Sequence, residues 1–212
     1  SYLINLAALS NDMLEKSINL LIHEMDIADS LDADYVVLHT GSASRDNEEN
    51  ARNRAVEALK AVSQEKTWKA KLLLENTAGE RGDISSRMKD LAEIIDKAGS
   101  RLIGGVCIDT CHAFAAGYDM SEKSGIQKLA DEIKVFAGLD RVKLIHLNDS
   151  KRGCGSRVDR HEHIGQGGIG SEGLKRLVNH PAFEAVPLIL ETPKKEEGDD
   201  ARNLKVVSSL IL

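Results

Sequence analysis

Five side chains able to bind a metal ion close five apolar runs: His39 after YVVL, Glu75 after LLL, Asp109 after GGVCI, His146 after VKLI and Glu191 after VPLIL. They recur at intervals of 36, 34, 37 and 45 residues, each about the length of one strand and one helix. His112 follows Asp109 by three positions. The polar stretch RVDRHEHIGQGGIG, residues 157–170, adds Asp159 and His161, two apart, with His163 as an alternative ligand. Carboxylates and imidazoles without thiolates suit zinc or manganese, with iron as a further option. One such residue at a strand end is more often a loop cap or a satisfied core group than a ligand. Five at the same structural position are hard to obtain from unrelated caps, and burying their carboxylates unpaired would be costly. Eight candidates are too many for one tetrahedral site and would serve two or three ions.

The apolar patterning supplies elements that would position these groups. Leu14, Ile18, Leu21, Ile22 and Met25 recur at helical spacing after the capping candidates Ser10, Asn11 and Asp12. Further helical patterns run through Ala55–Leu59–Val62, Met88–Leu91–Ile94–Ile95, Ile126–Leu129–Ile133–Phe136, Leu174–Leu177–Val178 and Leu204–Val207. Between them lie the strand candidates YVVLH, LLLEN, GGVCID, VKLIHLN and VPLILET, and YLINLA at the start reads as another. Continuously apolar strands that alternate with helices imply a parallel sheet covered on both faces. Ligands at successive strand ends converge in a closed barrel and would be strung out along an open sheet, so the pattern favours a TIM (β/α)8-type barrel. About six of eight strand–helix units are expected, forming one metal-binding barrel domain over residues 1–212, with two units missing.

Net charge is -6 and the pI near 5.7, which by itself argues against a nucleic-acid binder. Glu75, Asp109, Asp159 and Glu191 would supply four of those negative charges. Three divalent ions would bring the balance close to neutral and leave the mouth locally positive. SKRGCGSR, residues 150–157, adds cations beside it. No apolar run approaches the ~20 residues of a membrane span. Three cysteines fit a reducing compartment better than a disulfide framework. Cys107 and Cys111 lack a second pair for a structural zinc site, and Cys107 reads as strand packing. Gly165, Gly167, Gly168 and Gly170 permit close backbone approach and can also be read as a phosphate cradle, although their spacing is no standard nucleotide fingerprint.

The stretches SYLINLA, VLHTGS, LLENTAG, CIDTCHAFAAGYD, HLNDSK, RVDRHEHIGQGGIG and LILETP, in this order from residue 1 to about 193, resemble the endonuclease IV family. The resemblance implies a metal-dependent apurinic/apyrimidinic endonuclease of base-excision repair with three zinc ions, manganese being an alternative. His39 and Glu75 would hold the first ion. Glu75 would bridge to a second, completed by Asp109, His146 and Glu191, and His112, Asp159 and His161 would hold the third. A hydroxide between the first two ions would attack phosphorus 5′ to an abasic site, giving a 3′-hydroxyl and a 5′-deoxyribose phosphate. The implied partner is double-stranded DNA, contacted by Tyr2 and Arg160; a loop cation is the plainer reading of Arg160. A monomer without membrane attachment is implied, cytoplasmic in a bacterium and nuclear or mitochondrial in a eukaryote. The family carries one more ligand, a His just upstream of the Tyr that matches Tyr2, and the sequence begins at Ser1 without it. The first ion of this chain is therefore expected to be short of a ligand. A sugar isomerase or epimerase of related barrel architecture, or an inactive fragment, are the other readings open at this point.

Overall fold

Capping side chains, glycines and runs of branched apolar residues set the elements. The computed structural model describes residues 3–212. They fall into two units, one ending at Cys107 and one running from Ile108 to Leu212.

In the first unit the order is α1 (Asn11–Ser30), β1 (Tyr35–His39), α2 (Glu48–Glu65), β2 (Lys71–Glu75), α3 (Met88–Ala98) and β3 (Ile103–Asp109), whose last two residues belong to the second unit. Asn47 caps α2: its side chain accepts the N–H groups of Glu49 at 2.7 Å and Asn50 at 3.4 Å. Gly99 ends α3 with φ 54° and donates its N–H to the Ile95 carbonyl, a left-handed cap that a residue without Cβ adopts cheaply. Leu21 and Met25 of α1, Leu59 and Val62 of α2, and Leu91 and Ile94 of α3 are buried with Leu72, Leu73 and Leu74 of β2. Each such side chain contributes about 1.5–3 kcal/mol by leaving water. The strands are parallel, and the register pairs Tyr35 with Lys71 and His39 with Glu75. Glu75 in turn pairs with Cys107 of β3.

Among its described residues the expected strand YLINLA is not formed: residues 3–9 run through turns, a bend and irregular backbone. Asn5 is the reason. Its Oδ1 accepts the N–H groups of Ala7 at 3.0 Å and Ser42 at 3.1 Å, and its Nδ2 donates to the Ser42 carbonyl at 3.2 Å. A side chain that satisfies nearby backbone groups in this way offers the chain an alternative to a ladder. Gly41, at φ 118°, permits the approach, since a Cβ there would lie 2.2 Å from Asn5 Oδ1.

The second unit contains α4 (Thr110–Ala116), α5 (Lys123–Glu132), a π-helical turn (Ile133–Ala137), a 3-10 turn (Leu139–Arg141), β4 (Val142–His146), β5 (Asp149–Ser150), β6 (His161–Glu162), α6 (Gly170–Val178), β7 (Leu188–Ile189) and α7 (Asp199–Leu210). The strands β4 and β7 run parallel, with His146 opposite Ile189. The β5–β6 pair is a two-residue antiparallel hairpin that joins Asp149 to Glu162 and Ser150 to His161. Sequence patterning had no sign of α4, which is too short to show a period. Asp109 caps it by accepting the His112 N–H at 2.8 Å, and Gly117 closes it at φ 110°.

Candidate metal centre

In the first unit the parallel register sets His39 beside Glu75. His39 Nε2 lies 3.0 Å from Glu75 Oε2, and Glu75 is 3% exposed. In the second unit His146 Nδ1 lies 3.2 Å from Glu191 Oε2, with His146 buried and Glu191 half exposed.

A grouping within the second unit is His112, Asp159 and His161. Their donor atoms all lie within 4.8 Å of one another. His112 Nε2 is 3.1 Å from Asp159 Oδ2, and His161 Nε2 is 3.4 Å from Asp159 Oδ1. Donors on a tetrahedral ion with bonds of about 2.0–2.1 Å stand about 3.3 Å apart, so the spacing suits one.

His161 tests the fit further. Its Nδ1 lies 2.9 Å from the carbonyl oxygen of Glu191. A carbonyl only accepts, so Nδ1 carries a proton, and in the neutral ring Nε2 presents a lone pair. That Nε2 is buried without a hydrogen-bond partner and faces Asp159 at 3.4 Å and Asp109 Oδ2 at 3.6 Å. In the neutral ring this lone pair stands against two carboxylates, a repulsion that bound cations would relieve. An imidazole that donates its other N–H to a backbone carbonyl is the usual support for such a ligand.

Several residues that build this arrangement carry no metal signal in the sequence. Asn148 is fully buried; its Nδ2 donates to Asp109 Oδ2 at 2.7 Å, and its Oδ1 accepts the Glu191 N–H at 2.8 Å. Thr110 donates its hydroxyl proton to the Asn148 carbonyl at 2.6 Å and accepts the Asn148 N–H at 2.8 Å. The loop bearing Asp159 is clamped to the C-terminal carbonyls of α4, with Gly155 N–H on Phe114 and Arg157 N–H on Ala115, both at 3.0 Å. From α7, the Asn203 side chain accepts the Ile164 N–H at 3.0 Å and donates to Thr192 Oγ1 at 3.0 Å. It thus ties the segment after His161 to the segment after Glu191.

The remaining candidates fall elsewhere. His163 Nδ1 accepts from Asn203 Nδ2 at 3.1 Å, so this alternative ligand packs against α7. Arg160 is exposed and donates to the Asp159 carbonyl at 2.6 Å. Tyr2 lies outside the described residues. Cys111 has ligand-type neighbours in Asp109 and His161. Burial, and then the Asp109 charge, push its thiol up to about 12, so in the metal-free chain it is a packed thiol. The glycine run is no open phosphate cradle: the N–H groups of Gly167, Ile169 and Gly170 are taken by the carboxylate of Asp149.

Residues 1–208 match the family described as xylose isomerase-like TIM barrel. A relative from Halothermothrix orenii, named probable endonuclease 4, is 44% identical over 194 residues, which cover 92% of this chain and 70% of that protein. The chain belongs to the endonuclease IV family. It is accordingly an α/β protein of TIM-barrel fold and an enzyme, an endonuclease. The crystal structure of endonuclease IV from Thermus thermophilus superposes with a TM-score of 0.84 at 40% identity, over 99% of this chain and 73% of that one. A D-tagatose 3-epimerase-like protein shares the fold at 17% identity with a TM-score of 0.73.

Proposed function

We propose that the chain is a zinc-dependent apurinic/apyrimidinic endonuclease that cleaves double-stranded DNA 5′ to an abasic site and leaves a 3′-hydroxyl and a 5′-deoxyribose phosphate. The observation that carries this reading is His161: a partly buried imidazole whose Nδ1 donates to the Glu191 carbonyl and whose buried Nε2 faces two carboxylates, within a family of endonucleases. Three ions are proposed, and His39, Glu75, Asp109, His112, His146, Asp159, His161 and Glu191 are the residues that would hold them. Divalent zinc supplies Lewis-acid stabilisation for displacement at a phosphodiester. The chain's own residues fix where that charge sits. The Glu191 carbonyl orients His161, the Asn148 amide orients Asp109, and the Asp159 carboxylate spans the two imidazoles. Lys151, Arg152, Arg157 and Arg160 are exposed on the loop that bears Asp159, where cations favour a polyanionic strand.

The deciding experiment is incision of a duplex carrying one abasic site, run beside a panel of ketoses. Cleavage at the abasic site that is lost on chelation and restored by zinc is expected. Turnover of a ketose without incision would replace this reading by the isomerase or epimerase one, which the shared fold alone supports.

A further inference from the structure

Asp149 is fully buried and directly follows Asn148, yet its carboxylate does not face the ligand groups described above. It faces backbone N–H groups. Oδ1 accepts from Ser150 at 2.8 Å and Ile169 at 3.0 Å; Oδ2 accepts from Gly167 at 3.0 Å and Gly170 at 3.2 Å. Gly170 is the first residue of α6, so the charge also sits at a helix N-terminus. Hydrogen bonds to an ionised acceptor are among the stronger ones, about 1.5–3 kcal/mol each. Gly167 leaves room for this contact: a Cβ there would lie 2.3 Å from the Ser150 carbonyl and 2.5 Å from Asp149 Oδ1.

What this fastens is the segment bearing His161. Two residues per strand make the β5–β6 hairpin marginal by itself. It is held below by Lys151 N–H on the Arg160 carbonyl at 2.9 Å, and above by Gly168 N–H on the Ser150 carbonyl at 2.7 Å. Asp149 anchors that upper side. We propose that Asp149 is a positioning residue for the metal centre: its carboxylate binds Gly167–Gly170 and so keeps His161 on the Glu191 carbonyl with its lone pair toward Asp159. The part of this concerning metal affinity rests on the zinc reading above; the part concerning the His161 tautomer does not.

The test uses Asp149→Asn, whose amide would set an N–H group against backbone N–H groups. In the metal-free chain, long-range 1H–15N spectra should show His161 as the Nδ1–H tautomer, and the variant should show averaged tautomers. The Gly167, Ile169 and Gly170 amides should exchange at least about 10-fold faster. In a zinc titration one ion should bind about 10- to 100-fold more weakly while the others are unchanged. Where Asp149→Asn does not fold, Gly167→Ala presses on the same contact from the loop side, with the same three outcomes expected. A folded variant that melts earlier but keeps the His161 tautomer and the zinc titration of the parent overturns the proposal. A parent chain that binds no zinc, while its His161 tautomer still shifts on substitution, upholds the positioning and removes the zinc reading instead.

Discussion

His39 and Glu75 are register partners on adjacent parallel strands, and their side chains meet at 3.0 Å. Neighbouring strands lie about 4.8 Å apart, so this contact follows directly from the pairing. In the family resemblance, Glu75 is the carboxylate shared by two ions. Glu75→Gln keeps the shape and removes the charge. Incision should fall by more than about 100-fold, whereas Glu162→Gln, one residue past His161, should change it by less than about 3-fold. Equal rates for the two variants would remove the special role of Glu75.

Chelation should destabilise the chain, because an ion that binds only the folded state adds its binding free energy to folding. The melting temperature should rise again with added zinc. His161→Ala should shrink the zinc-dependent part of the shift and leave most of the metal-free melting temperature in place. A melt that is the same with and without metal would contradict the proposed centre.

Asn47→Ala offers a control away from any metal. Loss of the α2 cap should cost about 1 kcal/mol. Zinc stoichiometry should remain that of the parent, as read by metal analysis beside a denaturant titration.

The thiols separate by burial. Cys107 and Cys111 are buried and Cys154 is exposed. With its thiol pushed up to about 12, Cys111 has almost no thiolate near neutral pH. Alkylation of the folded, metal-free chain should therefore label Cys154 alone, and denaturation should release the other two, as counted by intact mass. Rapid labelling of Cys111 in the folded chain would show that its environment is open.

Asp199 gives a pH dependence. The N–H groups of Glu196 and Lys195, each 2.8 Å from its Oδ2, hold its carboxyl below the usual carboxylate range, and Arg202 adds to this. A lowered folded-state pKa stabilises the chain above the unfolded value of about 3.9, and that contribution disappears as pH falls through the folded value. Asp199→Asn should thus melt below the parent by a constant margin above about pH 5, with the margin closing below about pH 4. A margin independent of pH would count against an ionised Asp199 as its source.

The positions of His39, Glu75, Asp109, His146 and Glu191 were legible because a strand–helix unit has a roughly fixed length, so strand ends recur along the sequence. Asp159 and His161 stood out by residue type and close spacing. Asn148 and Asn203 did not, since an amide carries no metal signature and each acts by joining segments far apart in sequence. The glycines of 165–170 misled for a related reason: the anion they enclose is an internal carboxylate 18 residues before Gly167. YLINLA misled because Asn5 bonds across to Ser42, a contact no local pattern records.

The helix α4 holds two roles at its two ends. Asp109 and His112 stand at its start, while the carbonyls of Phe114 and Ala115 near its finish grip the loop that carries Asp159. A tilt of that helix would carry all three side chains in the same direction, so their mutual distances should vary less than the position of any one of them, like a small gauge that drifts without changing its bore.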